Sequence, residues 1–153
     1  REDLDAVVAF TSALESKALV PALQFHFADE LPVFATSQSA RSESLSDIAG
    51  FHVTELPLLA NPDPVAATMS AVFDLREKPL VELYALGLDA YRLAAWVHWI
   101  RTHANHWDEG FRLRLNLASG QLVLGRNGQI ERELALAEIS SQGTLSLSQA
   151  NGG

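Results

Sequence analysis

Small polar side chains follow three short apolar runs of the chain, and these side chains could hold a ligand. Thr11 and Ser12 end the first run, Thr36 and Ser37 end the second, and Glu55 lies near the end of the third. In open parallel sheets, ligands bind beyond the carboxyl ends of the strands. Hydroxyl groups and a carboxylate at that edge predict a cleft for a polar ligand. The alternative is that these groups only cap helices and strand ends.

Two tryptophans and an arginine point to contact with a protein partner. Trp96 and Trp99 are three residues apart, which makes them neighbours on a helix surface, and Arg101 follows closely. Trp and Arg are enriched among the residues that dominate binding energy at interfaces. The same spacing also fits packing at the edge of a helix core, so both interpretations stay open. These three residues are the candidates for a partner interface.

Histidines and carboxylates occur together further along the chain. His98, His103 and His106 precede Asp108 and Glu109, and imidazole and carboxylate groups together could hold a divalent metal. The chain lacks the H-E-x-x-H spacing of helical metal sites. Histidines near a helix C-terminus are also favoured by the helix dipole alone. We therefore predict no functional metal.

The sequence contains no motif for catalysis. It has no cysteine, no G-x-S-x-G motif for a serine nucleophile, and no glycine fingerprint for phosphates between a strand and a helix. The serine-rich stretch at residues 38–47 has no apolar periodicity and is predicted to be a surface loop. We predict that the protein is not an enzyme and has no cofactor.

Hydrophobic patterning predicts the elements that position these residues. Nearly continuous apolar runs at residues 6–11 and 32–37 are typical of parallel strands buried on both faces, and residues 51–56 predict a third strand with partial alternation. Ser12 and Glu15 form a capping-box pattern at the start of a helix. We expect a kink or break in that helix at Pro21 and a core stripe made of Leu14, Ala18, Ala22 and Phe25.

Proline and glycine residues later in the chain mark the ends of two further predicted helical regions. Asp63 and Pro64 fit the cap and first position of a helix that ends at Pro79. The next helical run breaks at Gly87, and Asp89 caps a helix that extends to about His103. The predicted core stripes are Val65, Met69, Val72, Phe73 and Arg76 in the first region, and Leu93, Val97, Ile100 and Ala104 in the second.

From Phe111 onward, apolar residues recur at every second position, which indicates antiparallel strands. The Asn127-Gly128 pair is a strong hairpin signal. The fold class predicted is therefore α/β, a doubly wound and mostly parallel sheet with a C-terminal antiparallel β tail. We expect a single α/β domain over residues 1–153, with a Rossmann-like βα region at 1–110 and a β-hairpin tail at 111–148.

Composition narrows the classes of function. With 153 residues, 48% of them hydrophobic, the chain can bury the core of one domain. The net charge of -8 provides no electrostatic footprint for nucleic acid or for anionic lipid. No apolar stretch reaches the roughly 18 residues of a membrane helix.

Three stretches of the sequence resemble the LppC/LpoA family of outer-membrane lipoproteins. They read DAVVAFTSALESKALVPALQFHFADELPVFATS, then GFHVTELPLL, then LYALGLDAYRLA. The resemblance extends from about Asp3 to Leu147, and the segment from Leu83 to Tyr91 is its most specific part. The segment GQLVLGRNGQIERELALAEI is similar to the closing hairpin of type I periplasmic-binding-protein domains, which share the fold.

The resemblance implies one lobe of a larger two-lobed domain, in a protein whose lipidated N-terminus is not in this chain. It implies a non-enzymatic regulator of peptidoglycan synthesis that binds and activates a class A penicillin-binding protein from the periplasmic side of the outer membrane. The alternative function is a type I periplasmic solute-binding protein for an amino acid or a cell-wall fragment. If the first strand lacks its usual neighbour, its open edge predicts self-association.

Overall fold

The computed structural model describes residues 4–41, 44–103, 111–125 and 129–147. Within them the strands are β1 (Val7–Ala9), β2 (Val33–Ala35), β3 (Phe51–Glu55), β4 (Arg112–Leu117), β5 (Gly120–Gly125), β6 (Ile130–Glu133), β7 (Ala135–Ile139) and β8 (Leu145–Leu147). The helices are α1 (Ala13–Phe25), α2 (Pro57–Ala60), α3 (Pro64–Phe73) and α4 (Val81–His103), and two short 3-10 helices cover Leu45–Ile48 and Leu75–Glu77. None of the helices in these ranges is both long and apolar enough to span a membrane.

The chain divides into two compact units. The first unit comprises residues 1–55 and 136–153, and the second comprises residues 56–135. The second unit is one continuous stretch, so the chain leaves the first unit once and returns once. These bounds differ from the predicted division at residue 110, and the assignment of residues 1–153 to a single domain stays a prediction.

The first unit is built on a five-stranded sheet with the order β1-β2-β3-β7-β8. Strands β1, β2 and β3 are parallel, with Val8, Phe34 and His52 in register, whereas β7 and β8 are antiparallel. This mixture confirms the predicted α/β class with a parallel sheet and later antiparallel strands. Strand β1 lies at one edge of the described sheet, and self-association through that edge stays a prediction.

Burial alternates along the strands of this sheet and places the core of the first unit on one face. Val33, Phe51 and Val53 are buried on that face together with Ile48 of the 3-10 helix. On the other face Val8 is exposed, and the rings of Phe34 and His52 stack with their centroids 5.1 Å apart. Val8 thus contradicts the predicted burial on both faces for β1, whereas Phe34 and His52 are half-buried.

Helix α1 begins with the predicted capping box at Ser12 but differs from the prediction in two ways. It continues through Pro21 without a break, and a kink at this residue stays a prediction; the missing N–H of proline removes a single helical hydrogen bond. Its predicted core stripe faces solvent, and the side chain that is fully buried is Ser16. The helix is apolar on two faces, so counting apolar residues selected the wrong one.

The described part of the serine-rich segment is more buried than a surface loop. Ser39, Ala40 and Leu45 are buried, and Leu45 begins the 3-10 helix. The Ser39 hydroxyl donates to the Thr11 carbonyl at 2.9 Å, which lets this polar side chain leave water. A single long-range hydrogen bond of this kind leaves no periodic signal in the sequence.

In the second unit, α4 is one continuous helix from Val81 to His103. The predicted break at Gly87 and the predicted cap at Asp89 are wrong, because Asp89 is a buried residue in the middle of the helix. Helix α3 begins at the predicted cap Asp63 but ends at Phe73, where Asp74 takes a left-handed conformation with φ of 50°. The predicted α3 stripe is largely exposed at Val65, Val72 and Phe73, whereas α4 buries Val81, Ala85, Asp89, Leu93 and Ile100.

The predicted β tail is divided between the two units. Strands β4, β5 and β6 form a separate antiparallel sheet, whereas β7 and β8 belong to the first sheet. Gly120 follows the β4–β5 turn with φ of +148°, and a Cβ there would lie 2.5 Å from the Glu133 carbonyl oxygen. Only glycine fits this turn. The Asn127-Gly128 signal falls outside the described residues.

Candidate functional site

Three hydroxyl groups meet at the carboxyl ends of β1 and β2. The hydroxyl oxygens of Thr11 and Ser16 are 2.7 Å apart, and those of Thr11 and Ser39 are 3.2 Å apart. Ser16 donates to the Ser12 carbonyl at 2.9 Å, and Ser39 donates to the Thr11 carbonyl at 2.9 Å. Both serine hydroxyl protons are therefore used within this hydroxyl cluster. The sequence predicted Thr11 here but missed Ser16 and Ser39.

The predicted site residue Ser12 lies beside this cluster and belongs to the start of α1. Its backbone N–H and hydroxyl both donate to the Glu15 carboxylate, at 2.8 and 2.7 Å. The backbone hydrogen bond from Ser12, followed by the one from its side chain, lowers the pKa of Glu15. A helix N-terminus attracts anions, and here the helix's own carboxylate already occupies that position.

Glu55 is buried at the end of β3 and is paired with Arg41. The guanidinium donates to the carboxylate at 3.2 and 3.5 Å, and the Glu55 side chain is completely inaccessible to solvent. Sequence reasoning missed Arg41, which stands in the serine-rich segment. The signal was available in principle, because a buried acid requires a basic partner and few bases occur nearby.

Thr36 and Ser37 are half-buried residues that follow β2. Their backbone carbonyls accept hydrogen bonds from Ser39 and Ala40, at 3.0 and 3.1 Å, and so form the turn that carries Ser39 to the hydroxyl cluster. Among the five predicted ligand residues, Thr11 and Ser12 are thus joined through shared partners. Thr36 and Ser37 contribute through their backbone carbonyls, and Glu55 pairs with Arg41.

The two tryptophans of α4 contact each other edge to face. Their ring centroids are 6.2 Å apart, and the Trp99 ring also lies 5.0 Å from that of His103. Trp96 is 40% exposed and Trp99 is 45% exposed. Trp96 continues the buried spacing of Asp89 and Leu93, yet its ring is only partly covered. The two rings therefore offer apolar area to a partner.

Helix geometry separates Arg101 from the tryptophans. Two residues turn an α-helix by about 200°, so Arg101 lies on the opposite side from Trp99. The arginine on the tryptophan side is Arg92, one helical turn before Trp96. Arg92 donates to both oxygens of the Asp63 carboxylate at 2.7 and 2.8 Å. Arg92, Trp96 and Trp99 thus share one side of α4, and the interface role predicted for Trp96, Trp99 and Arg101 stays a prediction.

Asp63 joins the start of α3 to α4 within the second unit. Besides binding Arg92, it accepts hydrogen bonds from the N–H groups of Val65 and Ala66 at 2.9 and 3.1 Å. The Arg92 hydrogen bond is the main cause that lowers the pKa of Asp63 to about 2. Asp63 in turn raises the pKa of Arg92. This charged pair ties the start of α3 to α4 one helical turn before Trp96.

The buried carboxylate of Asp89 supports the turn between β4 and β5. It accepts the backbone N–H groups of Ala118 and Ser119 at 2.8 and 2.7 Å. The Ala118 carbonyl accepts the N–H of Leu58 at 3.0 Å, so the turn is held from both sides. Sequence reasoning interpreted Asp89 as a helix cap and missed this role.

The described histidines do not gather around a metal position. Among the residues that the structure describes, no group of three or more His, Asp or Glu side chains could hold a metal ion. His103 Nδ1 lies 2.9 Å from the Trp99 carbonyl oxygen and 3.0 Å from the Thr102 hydroxyl. His106, Asp108 and Glu109 of the metal hypothesis lie outside the described residues.

Curated relatives of the chain share one name. A protein of Vibrio antiquarius named "Penicillin-binding protein activator LpoA" is 27% identical over 143 residues, which is 90% of this chain and 23% of that protein. A protein of the same name from Photobacterium profundum is 24% identical over 94% of this chain and 23% of its own length. The chain thus spans about a quarter of these relatives.

Solved structures show a similar fold. The LpoA (YraM) C-domain from Haemophilus influenzae, described as a regulator of PBP1A, matches 97% of this chain and 46% of its own chain, with a TM-score of 0.68 and 19% identity. A "putative branched-chain amino acid ABC transporter" from Chromobacterium violaceum matches 90% of this chain and 42% of its own, with a TM-score of 0.60 and 28% identity. Both comparisons support the predicted periplasmic-binding-protein-like fold.

The family assignment follows from the match over nearly the whole chain. The family model described as "LppC putative lipoprotein" matches residues 1–142. This agrees with the resemblance seen in the three sequence stretches, and with the name that the curated relatives share. The chain belongs to the LppC family.

Proposed function

We propose that this chain is part of a non-enzymatic regulator of peptidoglycan synthesis that binds and activates a class A penicillin-binding protein. The observation that supports the proposal is membership of the LppC family together with curated relatives named as penicillin-binding protein activators. The whole protein acts from the periplasmic side of the outer membrane, to which a lipid anchors it. The family's description as a lipoprotein supports this placement.

Activation by contact requires only that the regulator bind one conformation of the enzyme better than another. A regulator of this kind needs a protein-binding surface and no reacting groups. Trp96 and Trp99 provide such a surface, because both rings are partly exposed and contact each other edge to face. We place a contact with the penicillin-binding protein on these two rings, with Arg92 beside them.

The second candidate function is solute binding, favoured by the likeness to the ABC transporter protein of Chromobacterium violaceum. The polar groups at the strand ends weaken this candidate. Glu15 occupies the N-terminus of α1, Glu55 is neutralised by Arg41, and the serine hydroxyls donate to backbone carbonyls. A ligand carboxylate entering this edge would meet the carboxylate of Glu15.

The proposal is tested by titrating the full-length protein, produced without its lipid, against the class A penicillin-binding protein of the same organism. Peptide cross-linking by that enzyme is followed in the same samples. Saturable binding with faster cross-linking supports the proposal, and a Trp96→Ala, Trp99→Ala double variant should weaken binding about tenfold or more. Absence of binding and of any rate change contradicts it.

The solute-binding alternative has its own measurement. Thermal unfolding of the same protein is followed with amino acids and with cell-wall peptides, since a ligand that binds the native state raises the unfolding temperature. A reproducible, concentration-dependent increase for one of these compounds favours solute binding. Unchanged unfolding temperatures with all of them favour the regulator.

A further inference from the structure

Helix α1 has two apolar faces, and only one of them packs inside the first unit. The inward face contains the buried Ser16 and the half-buried Leu19, Val20 and Leu23. The opposite face contains a second apolar row, which we call the outer stripe. The outer stripe consists of Leu14, Ala18, Ala22 and Phe25.

The outer stripe has the spacing of a packing surface. At about 100° per residue, its four members fall within an arc of roughly 80° on the helix. Yet Leu14 is 78% exposed and Phe25 is 79% exposed. An apolar stripe along a helix normally packs against a core. Among the described residues of the first unit, nothing covers this face.

Phe27 extends the stripe beyond the end of α1. It is 95% exposed, and its backbone takes a left-handed conformation with φ of 54°. A bulky aromatic residue is disfavoured in this region of backbone space. Its ring gains no burial among the described residues to offset that cost. An exposed aromatic held in a strained conformation is typical of a side chain used for binding.

The charges around the outer stripe are negative. Glu15 beside Leu14, and Asp29 and Glu30 after Phe27, are exposed acids. Within the described residues of the first unit, the lysines and arginines are Lys17 and Arg41, and each is in an ion pair, with Asp47 at 2.8 Å and with Glu55 at 3.2 Å. The surface therefore presents apolar side chains inside an acidic surround.

We propose that the outer stripe binds an apolar segment rich in Lys and Arg on the penicillin-binding protein, as a second contact besides the tryptophan surface. This inference rests on the proposed function. Charge complementarity selects the occupant, because a second copy would bring the same acids against each other. An anionic lipid surface is repelled for the same reason.

The test compares variants of the full-length protein in the binding titration with the penicillin-binding protein. Leu14→Gln with Phe25→Gln keeps helix-forming side chains and removes the apolar stripe, and it should weaken binding about tenfold or more. Val72→Gln on α3 is the matched control, because Val72 is an apolar helix residue of the second unit that is 71% exposed. It should leave binding within about twofold.

A second pair of substitutions tests the charges without touching the apolar side chains. Asp29→Asn with Glu30→Gln should slow association and reduce the salt dependence of binding, since rim charges act mainly on the association rate. If the stripe variant and the charge variant both bind as well as the wild type, the inference is overturned. The proposed function still stands in that case, because the wild-type protein binds the enzyme. Failure of the wild type to bind overturns both.

Two further outcomes identify a different occupant and also overturn the inference. If the stripe variant unfolds at a clearly lower temperature than wild type and binds normally once folded, then the rest of the longer chain covers the stripe. If the wild type sediments as a dimer and the stripe variant as a monomer, the occupant is a second copy. Equal unfolding temperatures and monomeric sedimentation, together with weaker binding, support the inference.

Discussion

Each unit buries one carboxylate among its described residues, Glu55 in the first and Asp89 in the second. The two carboxylates accept hydrogen bonds from different kinds of donor. In the first unit, the Arg41 guanidinium donates to Glu55. In the second unit, two backbone N–H groups donate to Asp89. Both side chains of an ion pair can be substituted together, so that neither is left without a partner. Backbone N–H groups stay in place when the carboxylate is substituted, so the protein should lose more stability on substitution of Asp89.

The largest effect is expected from Asp89→Ala. The substitution leaves the N–H groups of Ala118 and Ser119 buried without acceptors, each at a cost of roughly 1–3 kcal/mol. We expect the free energy of unfolding to fall by about 4 kcal/mol in urea titrations. Glu138→Ala, at an exposed acid, is the control and should change stability little. A loss below about 1 kcal/mol would contradict the supporting role of Asp89.

Arg41→Met should have the next largest effect, because it leaves the Glu55 carboxylate buried without its cation. Breaking a buried pair in this way costs about 3 kcal/mol. The double variant Arg41→Met, Glu55→Gln should recover much of that loss, since a neutral pair needs no charge compensation. The double-variant cycle, measured by denaturant unfolding, reports the coupling directly. Additive losses would show that the two side chains do not depend on each other.

An intermediate case is Asp63, which combines both kinds of partner and is partly exposed. Its pKa of about 2 lies below the ordinary value of 3.8. The stability it contributes is therefore present above pH 4 and is lost as the pH falls from 4 through 2. Solvent screening limits the contribution to about 1 kcal/mol. Asp63→Asn should reduce this pH dependence in acid unfolding, and an unchanged profile would exclude the pair as its source.

The smallest effect is expected from the exposed pair of Lys17 and Asp47. Their charged atoms are 2.8 Å apart, and this contact lowers the pKa of Asp47. Exposed pairs of this kind contribute little to stability, because solvent and salt screen them. Lys17→Gln should therefore leave the free energy of unfolding almost unchanged, and added salt should erase any difference. A clear loss of stability in Lys17→Gln would contradict the expectation that the effect of each substitution increases with the burial of the carboxylate.

Local rules predicted the features that depend on neighbouring residues in the chain. The capping box of Ser12 and Glu15 and the Asp63-Pro64 start of α3 occur where the sequence placed them. The alternation after Phe111 also gave strands, with Leu113 and Leu115 on one face of β4. Each of these features is decided within a few residues.

Features that depend on distant residues were missed. The partners of Asp89 lie 29 and 30 positions away, and Ser39 reaches Thr11 across 28 positions. The sequence shows the polar residue in each case but not the backbone group with which it forms a hydrogen bond. Helix α1 shows the same limit. Its two apolar faces have the same helical periodicity, so the sequence alone does not show which face packs against the sheet.

The hydrogen bonds from Ala118 and Ser119 to Asp89, which hold the β4–β5 turn, affect how the second unit opens. The amide protons of Ala118 and Ser119 point at a carboxylate that is itself inaccessible to water. They cannot exchange with deuterium until α4 separates from the turn, which exposes much of the second unit's core. These two amides should therefore be among the slowest in the chain to exchange, and their rates would report how often the whole second unit opens.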